Sequence, residues 1–168
     1  MQEFEELLQT ATQAIPGKFF LLPVVTENGR ARTIYRERVY CYELYHQLRV
    51  EWDKIETPYA LNGEIDKQGH PYFPEGGLQP DLLVHEPGTH RNFAIIEIKP
   101  CTARRAGIIK DLQTFERFLG FGYKRCIYLV YGTEAEEKAQ FILGLNAGHL
   151  PLELWIHARP GEAAFRPE

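Results

Sequence analysis

The 168-residue chain has little of several things, and each shortage excludes a class of protein. Its three cysteines, Cys41, Cys101 and Cys126, are scattered and form no CxxC pair. A disulfide framework and a structural zinc site are therefore excluded, and the thiols read as ordinary residues of a reducing compartment. Positive charge is not in excess: 19 Lys plus Arg stand against 23 Asp plus Glu, a formal −4. That balance excludes a generally polybasic nucleic-acid binder. No run approaches the roughly 18 apolar residues of a membrane span. Internal repeats, low-complexity tracts and linkers are also missing. The opening MQEFEELLQT is acidic and amphipathic, so it reads as a helix and not as a secretory signal or an Arg-rich transit peptide. The expectation is a cytoplasmic protein with no membrane partner.

What is present suits a single α/β domain over residues 1–168, its core filled from a 44% hydrophobic composition. Phe4, Leu7, Leu8 and Ala11 recur at helical spacing, predicting a helix over about 2–14. KFFLLPVV is apolar but broken by Pro23, so a short strand and a buried loop both fit. TENGRART reads as a polar loop, followed by a long helix from about Ile34 to Trp52. YALNGEI, PDLLVH and NFAIIEIKP then read as three strands separated by turn clusters. A helix striped with Ile108, Leu112, Phe115 and Leu119 follows, then the buried strand RCIYLVYG. Thr133 and Glu136 suggest a capping box opening a helix, LELWIHA a last strand over a region of about 134–158, and RPGEAAFRPE a frayed tail. The expected architecture is a mixed β-sheet flanked by helices.

The segment from Pro80 to Pro100 carries the chemistry. Pairing PDLLVH with NFAIIEIK as an antiparallel hairpin centred near Gly88 and Thr89 makes opposed residue numbers sum to about 178. Leu83 then opposes Ile95 and Asp81 opposes Glu97, with Cβ atoms roughly 4.5–5.5 Å apart. Lys99, two residues beyond Glu97, shares that face with Leu83, Phe93 and Ile95. Leu82, Val84, Ile96 and Ile98 fill the other, so the hairpin is expected to be covered on both sides. Two opposed carboxylates in such a place repel unless a positive partner joins them. Lys99 is one candidate. A hard divalent cation is the other, taking both carboxylates and the Ile98 carbonyl that would lie between them. The plain alternative is a salt-bridged strand with alternating Glu and Lys.

Pro80-Asp81, followed on the next strand by Glu97-Ile98-Lys99, resembles the PD-(D/E)XK nuclease superfamily, the restriction-endonuclease-like fold. CYELYHQLR also resembles the leading helix of small bacterial members of unassigned role. The resemblance implies an α-β-β-β-α-β core over about 34–131. It also implies Mg²⁺ or Mn²⁺ held by Asp81 and Glu97, and Lys99 activating or positioning the attacking water. Small members of that fold often dimerise to cut two strands, which makes a homodimer an expectation by analogy. The reaction is sound chemistry in its own right: phosphodiester hydrolysis wants a metal against the phosphoryl oxygen and a cation near the nucleophile.

Further ligands are expected from neighbouring elements. On the long helix Glu43 is preferred over Glu37, both lying near the apolar stripe. On the first strand Glu64 is preferred over Asp66. Basic residues gather around the site more than the total charge suggests. From Lys99 to Arg125 seven basic residues face only Asp111 and Glu116, a net +5. From Gly29 to Arg49 five arginines face Glu37 and Glu43, a net +3, which leaves −12 elsewhere. Arg104 and Arg105, opening a helix, and Lys110 on its outer stripe are the expected nucleic-acid contacts. The reading is a metal-dependent nuclease acting on DNA more than RNA. Its rival is a nuclease-like fold that binds without cutting.

Overall fold

The computed structural model describes residues 3–63 and 79–167, and Glu64 and Asp66 lie outside them. Among the described residues no helix is long and apolar enough to cross a membrane. The chain folds as an α/β protein with a five-stranded mixed sheet and a separate two-stranded one. It begins with α1 (Glu3–Gln13) and the single turn α2 (Gly17–Phe20). The two-stranded ribbon β1 (Leu22–Val25) and β2 (Ala31–Ile34) leads into α3 (Glu37–Trp52). Strands β3 (Ala60–Gly63), β4 (Leu82–His85) and β5 (Asn92–Pro100) follow, then α4 (Arg105–Gly120), β6 (Arg125–Tyr131), α5 (Ala135–Asn146) and β7 (Leu152–His157).

The large sheet has the order β3-β4-β5-β6-β7. Its first three strands are an antiparallel meander, whereas β6 and β7 run parallel to β5. The connections to the parallel strands are the helices α4 and α5, as parallel pairing requires. Both faces are covered. Leu61, Leu82, Val84, Ile96, Ile98, Ile127, Leu129 and Tyr131 pack with α1 and α3 residues such as Phe4, Leu8, Tyr40 and Leu44. Leu83, Ile95, Tyr128, Val130 and Ile156 pack with Ile108, Phe115 and Phe118 of α4 and Ala139 and Ile142 of α5. Double coverage is what lets strands as apolar as β5 and β6 exist in water. The three cysteines are free and buried, and Tyr40 stacks on Tyr131 in the core at 3.8 Å between ring centroids.

The hairpin register is the expected one: Leu82 opposes Ile96, Leu83 opposes Ile95 and Val84 opposes Ala94. It then shifts, because His85 opposes Asn92 and Phe93 is left as the extra residue of a bulge. Phe93 therefore joins Ala94 on the α1 face, against Phe4, and does not share the face of Ile95.

Three local readings are corrected. The TENGRART segment is not a loop: Asn28-Gly29 makes the turn, Gly29 takes φ 75°, and Ala31–Ile34 returns as a strand. Helix α3 consequently starts at Glu37 and not at Ile34. The Thr133 capping box does not form. Glu134 precedes α5 without a side-chain cap, and the Thr133 N–H donates to the Tyr35 hydroxyl at 3.2 Å. Finally, the tail is anchored. Phe165 bridges to Ile156, and the N–H of fully buried Ala164 donates to Thr12 Oγ1 at 2.9 Å.

Candidate functional site

Strand parity decides where the acidic hairpin points. Glu97 and Lys99 share the parity of Ile95, so their side chains lie on the α4 side of the sheet, near the C-terminal end of β5. Asp81 sits in the bend before β4, with the parity of Leu83. Glu97 and Lys99 are 3% and 9% exposed, so the charged groups meet in a largely dry place. Asp81 Oδ2 accepts the Ile98 N–H at 2.7 Å. The pairing of β4 with β5 ends at Leu82 and Ile96, and just beyond it the Asp81 side chain is the acceptor for the Ile98 N–H.

Lys99 is the hub. Its Nζ lies 2.8 Å from Glu37 Oε1, 3.5 Å from Asp111 Oδ2 and 4.0 Å from Asp81 Oδ2. Asp111 comes from α4 and also accepts the Tyr128 hydroxyl at 2.6 Å. Among the described residues three carboxyl groups, those of Glu37, Asp81 and Asp111, approach the Lys99 ammonium, and Glu97 interacts with Asp81.

The electrostatics follow from that count. Burial raises the Asp81 carboxyl from 3.8 to about 6, and Lys99 and the Ile98 N–H only partly offset it. Glu97 is pushed well above the carboxylate range by burial first, then by Asp81 and Asp111, with Lys99 opposing the shift. Asp111 is raised by burial against the opposing pull of Lys99 and Tyr128. For Lys99, burial alone lowers the pKa, but Asp81, Asp111 and Glu37 together overcome it and hold the ammonium firmly charged. Among the described residues the acids here outnumber the cations, and burial favours the neutral form of each carboxyl.

Asp81, Glu97 and Lys99 are thus brought together, with Ile98 between the acids. Glu43 is not among them: it accepts a bond from Gln47 Nε2 at 2.8 Å. The reason is geometric. Helix α3 covers the face opposite to Glu97 and Lys99, so a residue in its middle is separated from them by the sheet. Only its first turn, at the end of β5, reaches round, and Glu37 occupies it. Asp111 was missed altogether, although its position carries a signal. It falls three residues after Ile108 and four before Phe115, a charge set into an apolar helical stripe. Arg104 and Arg105 do open α4 and are exposed, as is Lys110 on its outer face.

The donor set suits a hard divalent cation, since it consists of carboxyl groups that outnumber the cations among the described residues, with the Ile98 carbonyl between Glu97 and Lys99 in the chain. Among the described residues, however, no three acid, His or Cys side chains are grouped as metal ligands. Water would have to complete any shell, as is usual for Mg²⁺. Comparison of the chain with protein-family models and with curated proteins gives no match.

Proposed function

We propose that this protein is a metal-dependent phosphodiesterase, a nuclease of the PD-(D/E)XK kind acting on DNA. The observation that carries the reading is the buried surplus of carboxyl groups around Lys99 among the described residues, beside a hairpin whose register pairs Leu82 with Ile96. A fold does not keep several desolvated acids beside one ammonium for stability, because each costs free energy until it is neutralised. Asp81, Glu97 and the Ile98 carbonyl are the groups that would hold Mg²⁺ or Mn²⁺. When bound, such an ion supplies charge against the phosphoryl oxygen and lowers the pKa of its water.

The chain's own residues then divide the remaining work. Lys99 stays protonated, so it cannot take a proton from water; it positions the nucleophile and opposes the charge that develops on the phosphate. Glu37 and Asp111 fix the ammonium from two sides, one from α3 and one from α4. Tyr128 holds Asp111 in turn. Arg104 and Arg105, following β5 at the start of α4, are placed to receive backbone phosphates.

The second reading, a nuclease-like module that binds without cutting, draws on the fact that the described acids are not grouped as a ready metal shell. Incubating supercoiled and linear DNA with the protein and Mg²⁺ or Mn²⁺ decides between them. Cleavage by the wild type that is lost in Lys99→Ala and in Asp81→Ala is the expected result. Cleavage undiminished in the double variant would falsify the assignment. Metal uptake by calorimetry together with cutting excludes the binding-only module, and neither uptake nor cutting establishes it.

A further inference from the structure

We propose that the β1–β2 ribbon is a DNA-gripping arm that enters the major groove of B-form duplex and delivers the scissile strand to the Lys99 site. This rests on the nuclease reading for what happens to the strand, but not for the binding itself.

Among the described residues the ribbon stands apart from the five-stranded sheet, and β1 pairs only with β2. Pro23, Val25, Ala31, Arg32 and Thr33 are all exposed, Val25 at 74%. A β-ribbon projecting its backbone into water needs a reason to hold its shape, and here the tip is rigid. Thr26 N–H donates to the Arg30 carbonyl at 2.9 Å, Gly29 N–H to the Thr26 carbonyl at 2.8 Å, and Thr26 Oγ1 binds Asn28 and Arg30. A tip fixed in this way loses little freedom on binding.

Its root is fastened to the catalytic end of the sheet. Tyr35 follows β2 directly, packs on the Tyr131 ring at 5.7 Å, and receives the Thr133 N–H on its hydroxyl. Tyr131 pairs with Pro100, next to Lys99. One residue after Tyr35 stands Arg36, and the next, Glu37, touches Lys99. Ribbon and site are therefore parts of one rigid path.

The charge on this arm selects the partner. Arg30, Arg32 and Arg36 are exposed, and among the described residues none of them enters an ion pair. Glu27 is the one acid at the tip. Glu27 and Asn28 at the tip are side-chain types that read base edges, while Arg30, Arg32 and Arg36 suit phosphate. Size agrees. Four residues of strand extend about 13 Å, enough for a major groove about 8.5 Å deep and 12 Å wide that admits a two-stranded ribbon. The deep, narrow major groove of A-form RNA does not admit one. The substrate class is accordingly double-stranded DNA.

Fluorescence anisotropy with the full chain in EDTA tests this, using a labelled DNA duplex, an RNA duplex of the same sequence and the single DNA strand. The wild type is expected to prefer the DNA duplex. Arg30→Ala with Arg32→Ala should weaken binding roughly 30-fold near 0.15 M salt and flatten the log–log salt dependence by about 2, the loss of two phosphate neutralisations. Arg30→Lys with Arg32→Lys should restore the slope, which a merely structural role would not. RNA duplex or single strand bound as tightly as DNA duplex, or an unchanged slope in the alanine variant, overturns the proposal. Wild type that binds and responds in this way yet cuts with no metal leaves the arm intact and removes the nuclease reading. Cutting that survives with binding indifferent to both arginines does the reverse.

Discussion

The sharpest consequence of an over-supplied acidic site concerns stability. In the metal-free protein, Asp81→Asn is expected to make the fold more stable while removing its metal response. Asp81 is raised from 3.8 to about 6, chiefly by burial. At about 1.4 kcal/mol for each tenfold change in proton affinity, the ionised side chain costs the folded state about 3 kcal/mol relative to the protonated one. The folded chain keeps a proton that the unfolded chain releases, so stability falls as pH rises from about 4 to about 6, and the whole cost is present above that window. Asparagine never ionises, and its Oδ1 can still accept the Ile98 N–H. Lys99 loses its most distant anion, at 4.0 Å, and keeps Glu37 and Asp111. Urea unfolding in EDTA should therefore show the variant ahead by about 1–3 kcal/mol at pH 7.5, with the gap closing below pH 4. Adding Mn²⁺ should raise the midpoint of the wild type and not that of the variant, by mass action on the folded state alone. An Asp81→Asn protein less stable than wild type at pH 7.5, or a gap that ignores pH, refutes the account of the cluster as electrostatically strained.

Two other outcomes separate close alternatives. Glu37→Gln removes the anion nearest Lys99 and should cut the rate of DNA cleavage by roughly 10- to 100-fold, on the scale of losing one aligning charge, while Glu43→Gln changes it less than twofold; plasmid cleavage rates measured side by side decide it, and equal effects sink the assignment of Glu37. Gly132→Ala meets a backbone at φ 121° and a Cys101 Sγ that would stand 2.5 Å from the new Cβ, so a loss of at least about 2 kcal/mol is expected from thermal or urea unfolding, and a variant as stable as wild type contradicts the crowding at the end of β6.

Much of this was legible in the sequence because it depends on alternation. Period-two patterning placed Leu83 against Ile95 without any knowledge of the rest of the chain, and with it the meeting of Asp81, Glu97 and Lys99. Alternation failed where the chain added a residue. Nothing about Phe93 marks it as the extra member of a bulge, and it crossed to the α1 face. The ribbon was misread for a different reason: Asn28-Gly29 is a strong hairpin turn, but β1 is a short apolar run broken by Pro23 and β2 is mostly exposed, so the apolar–polar alternation that usually announces strands is missing. The choice between Glu37 and Glu43 depended on which face of the sheet α3 would cover. Helical periodicity says which residues share a stripe and is silent on which side that stripe lands.

Asp111 shows how the two kinds of information combine. An aspartate inside an apolar stripe conflicts with its local setting, and such conflicts concentrate where a fold gives up stability for chemistry. By itself the conflict has an ordinary resolution, a buried acid satisfied by one donor, and Tyr128 is such a donor. What changes the reading is the company. The same carboxylate lies 3.5 Å from an ammonium that Glu37 and Asp81 also approach, and the next acid, Glu97, is pushed above the carboxylate range by burial and by Asp81 and Asp111. If stability alone shaped this site, the least costly change would be to replace Glu97, or Asp81, with a neutral residue of similar size. The chain instead retains both acids. A divalent cation relieves all of these costs at once, and a second lysine would relieve only the charge.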